Sequence, residues 1–537
     1  MLCRGCAKPQ RIPETVEHGR QFKLGTSGER KNQIVKSVRF WLGPVVANTA
    51  PILLVLLLAA QIGRIVPTLD SQLILLALVA VLGGLSLFTV EYRFPGILIL
   101  ILATGIFLAG RDFVKVFERA GIGQISPAEL VIVLSGLVIV VKAQQHTPLR
   151  LPRIPGRLPL VALGFTWVIA FLQGFSYSIV ESLRFSIVVV YAMFLLLVPA
   201  VVTSRDRLNV AIRVTMIAAA ISVIQPFLGY GFDGVHWQWG ILLFFLLIPV
   251  IRWQRYWPAR GLLVIATSLA ILTSQVRSVW VALAGAFLFF FVLAAQRIWI
   301  RKRLRSILIV VGGAGVLMAF GIAIAYESLG AGIVKEVETF NPAYYLDFSL
   351  EASTGSVANA RTRLGMWSIV LQESIGHPLV GVGLGTPFYY EGMDEARMFG
   401  EAYGWARPGY NAPHSSYMHI LLRMGFPALI AYLLFWAQFL LGAVRSIRKM
   451  DDVWLRNCAL ALALSVSYVL AVGLTAPVLE NPYTGCVLWL LAGTLVATVS
   501  LQYRDASKGV QGQPVVSLSE VSSQVRSLAT VAGHKTE

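Results

Sequence analysis

Apolar runs long enough, or nearly long enough, to cross a hydrocarbon layer follow one another through most of this chain. They begin near Val45, Leu73, Pro95, Pro127, Leu158, Leu183, Leu208, Val235, Gly261, Ser278, Ser306, Phe426, Leu455 and Gly485. A helix needs about 20 such residues to cross about 30 Å, and backbone in lipid must satisfy its own hydrogen bonds, which helices do. The runs at Val235 and Gly261 are short, so the expected count is about 12 to 14 spans. With 56% hydrophobic and 13% charged residues and a mean hydropathy of +0.71, too little polar surface remains for a soluble globule. The expected fold is an all-α polytopic membrane protein.

Charge orients the spans. The net charge of +18 is spread in short clusters between apolar runs, a topology signal rather than a nucleic-acid surface. If the basic tail from Arg4 to Arg39 is inside, every second connection should be rich in Lys and Arg. Those connections hold Lys142, Arg150, Arg153 and Arg157, then Arg205 and Arg207, then Arg252, Arg255 and Arg260, then Arg297 to Arg305, then Arg445 to Arg456. The connection around Arg111, Lys115 and Arg119 fits least well. This register puts one long polar loop outside and both termini in the cytoplasm. The expected organisation is a basic tail over 1–44, eleven spans over 45–326, a large, partly helical outer loop over 327–413, an outer helix with the last three spans over 414–503, and a disordered tail over 504–537.

The inner connections are too short to fold a nucleotide-binding domain of about 100 residues, and no Walker or dinucleotide fingerprint is present, which argues against an ATP-driven pump. Cys3-x-x-Cys6 lacks a second ligand pair, and Cys458 and Cys486 lie in apolar segments, so no zinc site is expected. The outer loop has no Asp-x-Asp pair and no close His and carboxylate set, so neither a metal nor a cofactor is expected. It is rich in Trp and Tyr, and long loops with apolar surface to bury tend to carry function. A reaction there needs a donor that brings its own leaving group, as a lipid-linked pyrophosphate does.

Within this region Arg361 and Arg363 precede Trp367. Their guanidinium forks suit pyrophosphate oxygens, and equally suit lipid headgroups or nearby acids. Arg277, in a very short outer connection, either snorkels to the boundary or lines a polar cavity. His414 follows Asn411-Ala412-Pro413 and opens a helix halted by Gly425; it suits a general base or a structural histidine. His419, about 140° away around that helix, forms no metal pair with it. The Gly381-Val382-Gly383-Leu384-Gly385 run after His377 fits turns and tight packing better than phosphate binding. Glu181 and Arg184 have the spacing of a helical ion pair.

In order, Arg363 with Trp367, then His377-Pro378-Leu379-Val380-Gly381-Val382-Gly383 with Phe388, then His414-Ser415-Ser416-Tyr417 and Met424-Gly425, resemble the O-antigen ligase and polymerase family over Leu262 to Leu441. The resemblance implies a bacterial inner-membrane, metal-independent, inverting glycosyltransferase with a large periplasmic loop. It would move an oligosaccharide from undecaprenyl pyrophosphate to lipid A core as a ligase, or to another lipid-linked glycan as a polymerase, in O-antigen or exopolysaccharide assembly. It implies a general-base role for His414 and phosphate binding for Arg277 and Arg363, with Arg361 as a further candidate. Two pairs depart from the family pattern, His414-Ser415 and Val276-Arg277, and the connection 229–239 lacks the family's Arg and Asn, with His236 the one substitute there. The rival class is a transporter or flippase of a lipid-linked sugar, though no internal symmetry of halves is visible.

Overall fold

The computed structural model describes residues 83–114, 126–145, 154–225, 236–248, 250, 257–273, 277–294, 355–388 and 413–511. The chain divides into two units, Met1–Val90 and Glu91–Glu537. Of the first only 83–90 are described, and they are helical; all that follows concerns the second. The tail 1–44, the runs near Val45 and Ser306, the loop segments 327–354 and 389–412, and the residues after 511 lie outside the described residues.

The helices are α1 (Ile97–Val114), α2 (Pro127–Gln145), α3 (Arg157–Phe175), α4 (Ile179–Phe185), α5 (Ile187–Val190), α6 (Phe194–Val201), α7 (Arg205–Ile224), α8 (His236–Leu247), α9 (Trp257–Thr273), α10 (Arg277–Ala294), α11 (Gly355–Gly376), α12 (Ser416–Lys449), α13 (Val453–Val472) and α14 (Pro482–Gln511). No strand occurs among the described residues. Six helices are long and apolar enough to span a membrane, up to eight if two bent pairs each count as one span, and three apolar helices are shorter. Those shorter ones, α8, α9 and α10, include both runs that looked short in the sequence. The fold is an all-α polytopic membrane protein.

The core is where α12, α13 and α14 meet. The α13 and α14 spans are mostly buried, whereas α3 turns Leu158, Val161, Phe165 and Leu172 outward, the pattern of a helix on the lipid face of a bundle. Phe435, Trp436 and Trp489 stack at ring distances of 4.8 to 5.6 Å and tie α12 to α14. The last helix continues to Gln511, past Arg504 where its sequence pattern fades.

Contacts sort the connections to two ends. At one, Arg205 pairs with Asp452 at 2.7 Å, Trp454 Nε1 donates to Val250 O at 2.8 Å, and Arg260 closes α8 by donating to Leu246 O and Leu247 O at 2.6 and 3.0 Å. At the other, the starts of α8 and α14 meet through Trp237 and Tyr483, and segments 363–388, 413–416 and 473–481 converge. Because α9 begins at the first end and rises about 1.5 Å per residue, its far end and the start of α10 at Arg277 lie at the second.

Candidate functional site

The second end is built around a break in α12. Gly425 sits at φ 80° and ψ 179°, a region in effect open only to glycine. The helix expected to stop at Gly425 therefore kinks there and continues to Lys449. The segment after α11 docks into the kink: Phe426 N donates to Pro378 O at 3.0 Å, Val382 N to Leu422 O at 2.8 Å, and Gly383 N to Arg423 O at 3.2 Å. On its other side Leu384 N donates to Ala170 O at 3.0 Å. A Cβ on Gly174 would lie 2.1 Å from Gly385 N, so α3 and this segment touch backbone to backbone. The glycine run thus works in tight packing. Buried Arg423 clamps it, donating to the carbonyls of Thr386 and Gly383, with its guanidinium 4.9 Å over Phe185.

Helix α11 buries Met366, Val370 and Ser374, a face that Arg363 and Trp367 join at helical spacing. Val370 packs with Phe388 and Leu422, which fixes α11 against α12. Arg363 Nη1 donates to Thr475 O at 2.8 Å, in the connection between α13 and α14. Trp367 Nε1 donates to Pro413 O at 2.9 Å, so this indole holds the residue before His414.

His414 has φ 42°. A bulky side chain in the left-handed region persists only where its surroundings over-determine it. Here Pro413 is held by Trp367 on one side, and Ser416 N donates to Gly473 O at 3.0 Å on the other. The half-buried imidazole is pushed down to about 4, first by desolvation and then by the Arg363 charge. It is neutral at pH 7, with a ring nitrogen able to accept a proton.

Two residues on, Ser416 starts α12 and its hydroxyl meets Glu480 Oε2 at 2.5 Å. Glu480 is buried, and burial raises its carboxyl to about 7 against the pull of the Ser416 hydroxyl and the backbone N–H groups of Glu480 and Leu479. Sequence reasoning missed Glu480. Its signal was there: it is the only acid between Asp452 and Asp505, and an acid standing alone among apolar spans invites attention.

Of the residues expected from sequence, His414 and Arg363 are brought together, close enough for the arginine's charge to act on the imidazole. Arg361 lies in α11 about 200° around the helix from Arg363, so the register separates the two. Arg277 is the first residue of α10, at the same end of the bundle; its side chain and those of Arg361 and His236 lie outside the described residues. His419 is buried with its ring 4.6 Å from Phe185, and His377 is exposed. Glu181 and Arg184 do pair, at 3.6 Å.

No curated protein matches the chain. A family model described as O-antigen ligase matches residues 261–433. The matched stretch runs from α9 into α12 and contains Arg277, Arg361, Arg363 and His414; it stops short of Glu480. By its apolar helices the chain is a multi-pass membrane protein, and over the matched stretch it is similar to the O-antigen ligase family of surface glycan assembly.

Proposed function

We propose that the chain is an inverting, metal-independent glycosyltransferase of the bacterial inner membrane. It takes an oligosaccharide from undecaprenyl pyrophosphate and joins it to a hydroxyl of lipid A core or of another glycan, as ligase or polymerase. The end of the bundle that carries His414 would then face the periplasm. The observation that carries this reading is the pairing of a neutral, rigidly held His414 with Arg363.

In the transfer His414 takes the proton of the acceptor hydroxyl as its oxygen attacks the anomeric carbon. The bond from that carbon to the pyrophosphate oxygen breaks with inversion, and its electron pair leaves with the diphosphate. Arg363 holds the growing negative charge, joined by Arg277 and, as a lesser candidate, Arg361. The same arginine orders the events. Its charge depresses the basicity of His414 in the empty site, and an arriving diphosphate offsets that charge, so the imidazole becomes a stronger base once donor is bound.

The test is glycan transfer in membranes of a host lacking its own ligase and polymerase, with intact protein and His414→Ala at matched abundance. Transfer that falls by about 10²- to 10⁴-fold in the variant supports the reading. Product on lipid A identifies a ligase, and a longer lipid-linked chain a polymerase. A variant that transfers as well as the intact protein removes His414 from the chemistry, and lipid-linked sugar that crosses the membrane without any transfer identifies a transporter.

A further inference from the structure

The connection between α13 and α14 is tied to the head of α12 by the Ser416 hydroxyl, beside the backbone bond from Ser416 N to Gly473 O. Ser416 Oγ offers a single hydrogen and two lone pairs. The N–H groups of Val478 and Leu479 occupy the lone pairs at 3.0 and 2.9 Å, so the hydroxyl must meet Glu480 Oε2, at 2.5 Å, as donor; Ala476 O lies farther away at 3.2 Å. Oε2 is then an acceptor whether or not the acid is ionised, and any proton on the carboxyl sits on Oε1. That oxygen is buried and has no hydrogen-bond partner among the described residues. No ion pair among the described residues involves Glu480, and a buried carboxylate without a cation is costly.

Resting on the transfer reading above, we propose that Glu480 is a positioning residue of this site. Through Ser416 it fixes the turn that carries His414, and, buried with Oε1 unpartnered, it sets the net charge that an anionic donor meets there. Among the described residues, the groups that face this connection are Arg363 from α11, on the Thr475 carbonyl, His414 and Tyr417 at the head of α12, Tyr432 farther along it, and Tyr483 at the head of α14. Arg363 is the one permanent charge among them. The carboxyl raised to about 7 is mostly protonated below neutrality and ionises as pH rises through that value, adding a negative charge at the end of the bundle where the diphosphate would bind.

The test uses the full-length protein purified in detergent, titrated with undecaprenyl diphosphate at pH 6 and pH 8. Intact protein is expected to lose at least about fivefold in affinity over that range. Glu480→Gln keeps an acceptor for Ser416 and places an amide where Oε1–H would be; it should bind like the intact protein at pH 6 and lack that extra drop. Comparing the two proteins cancels the ligand's own titration. Ser416→Ala should lower kcat for transfer several-fold with donor affinity little changed, because it loosens only the turn. The role of Glu480 is overturned if Glu480→Gln shows the same drop as intact protein or binds much more weakly at pH 6, and the positioning of the turn is overturned if Ser416→Ala leaves kcat unchanged. If Arg363→Ala binds the diphosphate as tightly as intact protein does, the donor-site reading itself fails, and the role of Glu480 with it.

Discussion

The two ends of the helix bundle spend their charged residues differently. At one, Arg205 and Asp452 pair at 2.7 Å with relative exposures of 46% and 25%, while Arg260 and Trp454 close helix ends on backbone carbonyls. At the other, Glu480, Ser416, His419 and Arg423 are buried, and the His414 turn is held from both sides. Exposed pairs contribute about 0 to 1 kcal/mol; a buried polar group that loses its partner costs about 1 to 3 kcal/mol. The first end is therefore expected to tolerate change better than the second, which on the proposed reading separates an end that closes helices from one that does chemistry.

Substitutions at the second end should break this contrast more strongly the nearer they lie to the proposed reacting atoms. Arg363→Ala removes the charge proposed to hold the diphosphate and is expected to lower kcat/KM for transfer by about 10²- to 10³-fold. Arg363→Lys should recover only part of it, since an ammonium lacks the two-point fork. Trp367→Phe keeps the ring and deletes the donor to Pro413 O; releasing the His414 turn should cost about tenfold in kcat. Gly174→Ala places a methyl group against Gly385 and should lower the melting temperature by several degrees, for about 1 to 3 kcal/mol of overpacking. At the first end, Asp452→Asn should change transfer by less than about twofold, although Asp452 also caps α13 by accepting from Leu455 N at 2.8 Å. A large loss of transfer from Asp452→Asn, or none from Trp367→Phe, would remove the distinction.

Much of the frame was legible. Apolar runs marked the helices, Gly425 marked a break, and Arg363, Trp367 and His414 stood out as polar residues in an apolar chain. The ties that make the site were not, because most of them end on backbone carbonyls. Pro413, Thr475 and Thr386 each accept a decisive hydrogen bond through a group every residue carries, so no side chain announces it. The Ser416–Glu480 contact joins positions 64 residues apart through residue types that are individually unremarkable. The arginines differ for another reason: by charge alone Arg361 and Arg363 look equivalent, the family resemblance favours Arg363, and the helical register of α11 sets the two on different faces.

The most direct measurement is the pH dependence of kcat/KM for transfer in reconstituted membranes, which reports the free enzyme's ionisations. An imidazole held near 4 by burial and Arg363 stays neutral as pH falls through the ordinary histidine range. Transfer at pH 5.5 should then be no lower than about half of that at pH 7. A fall of about tenfold by pH 5.5, the behaviour of a histidine with its usual value of about 6.5, would contradict a buried, neutral His414 as the base.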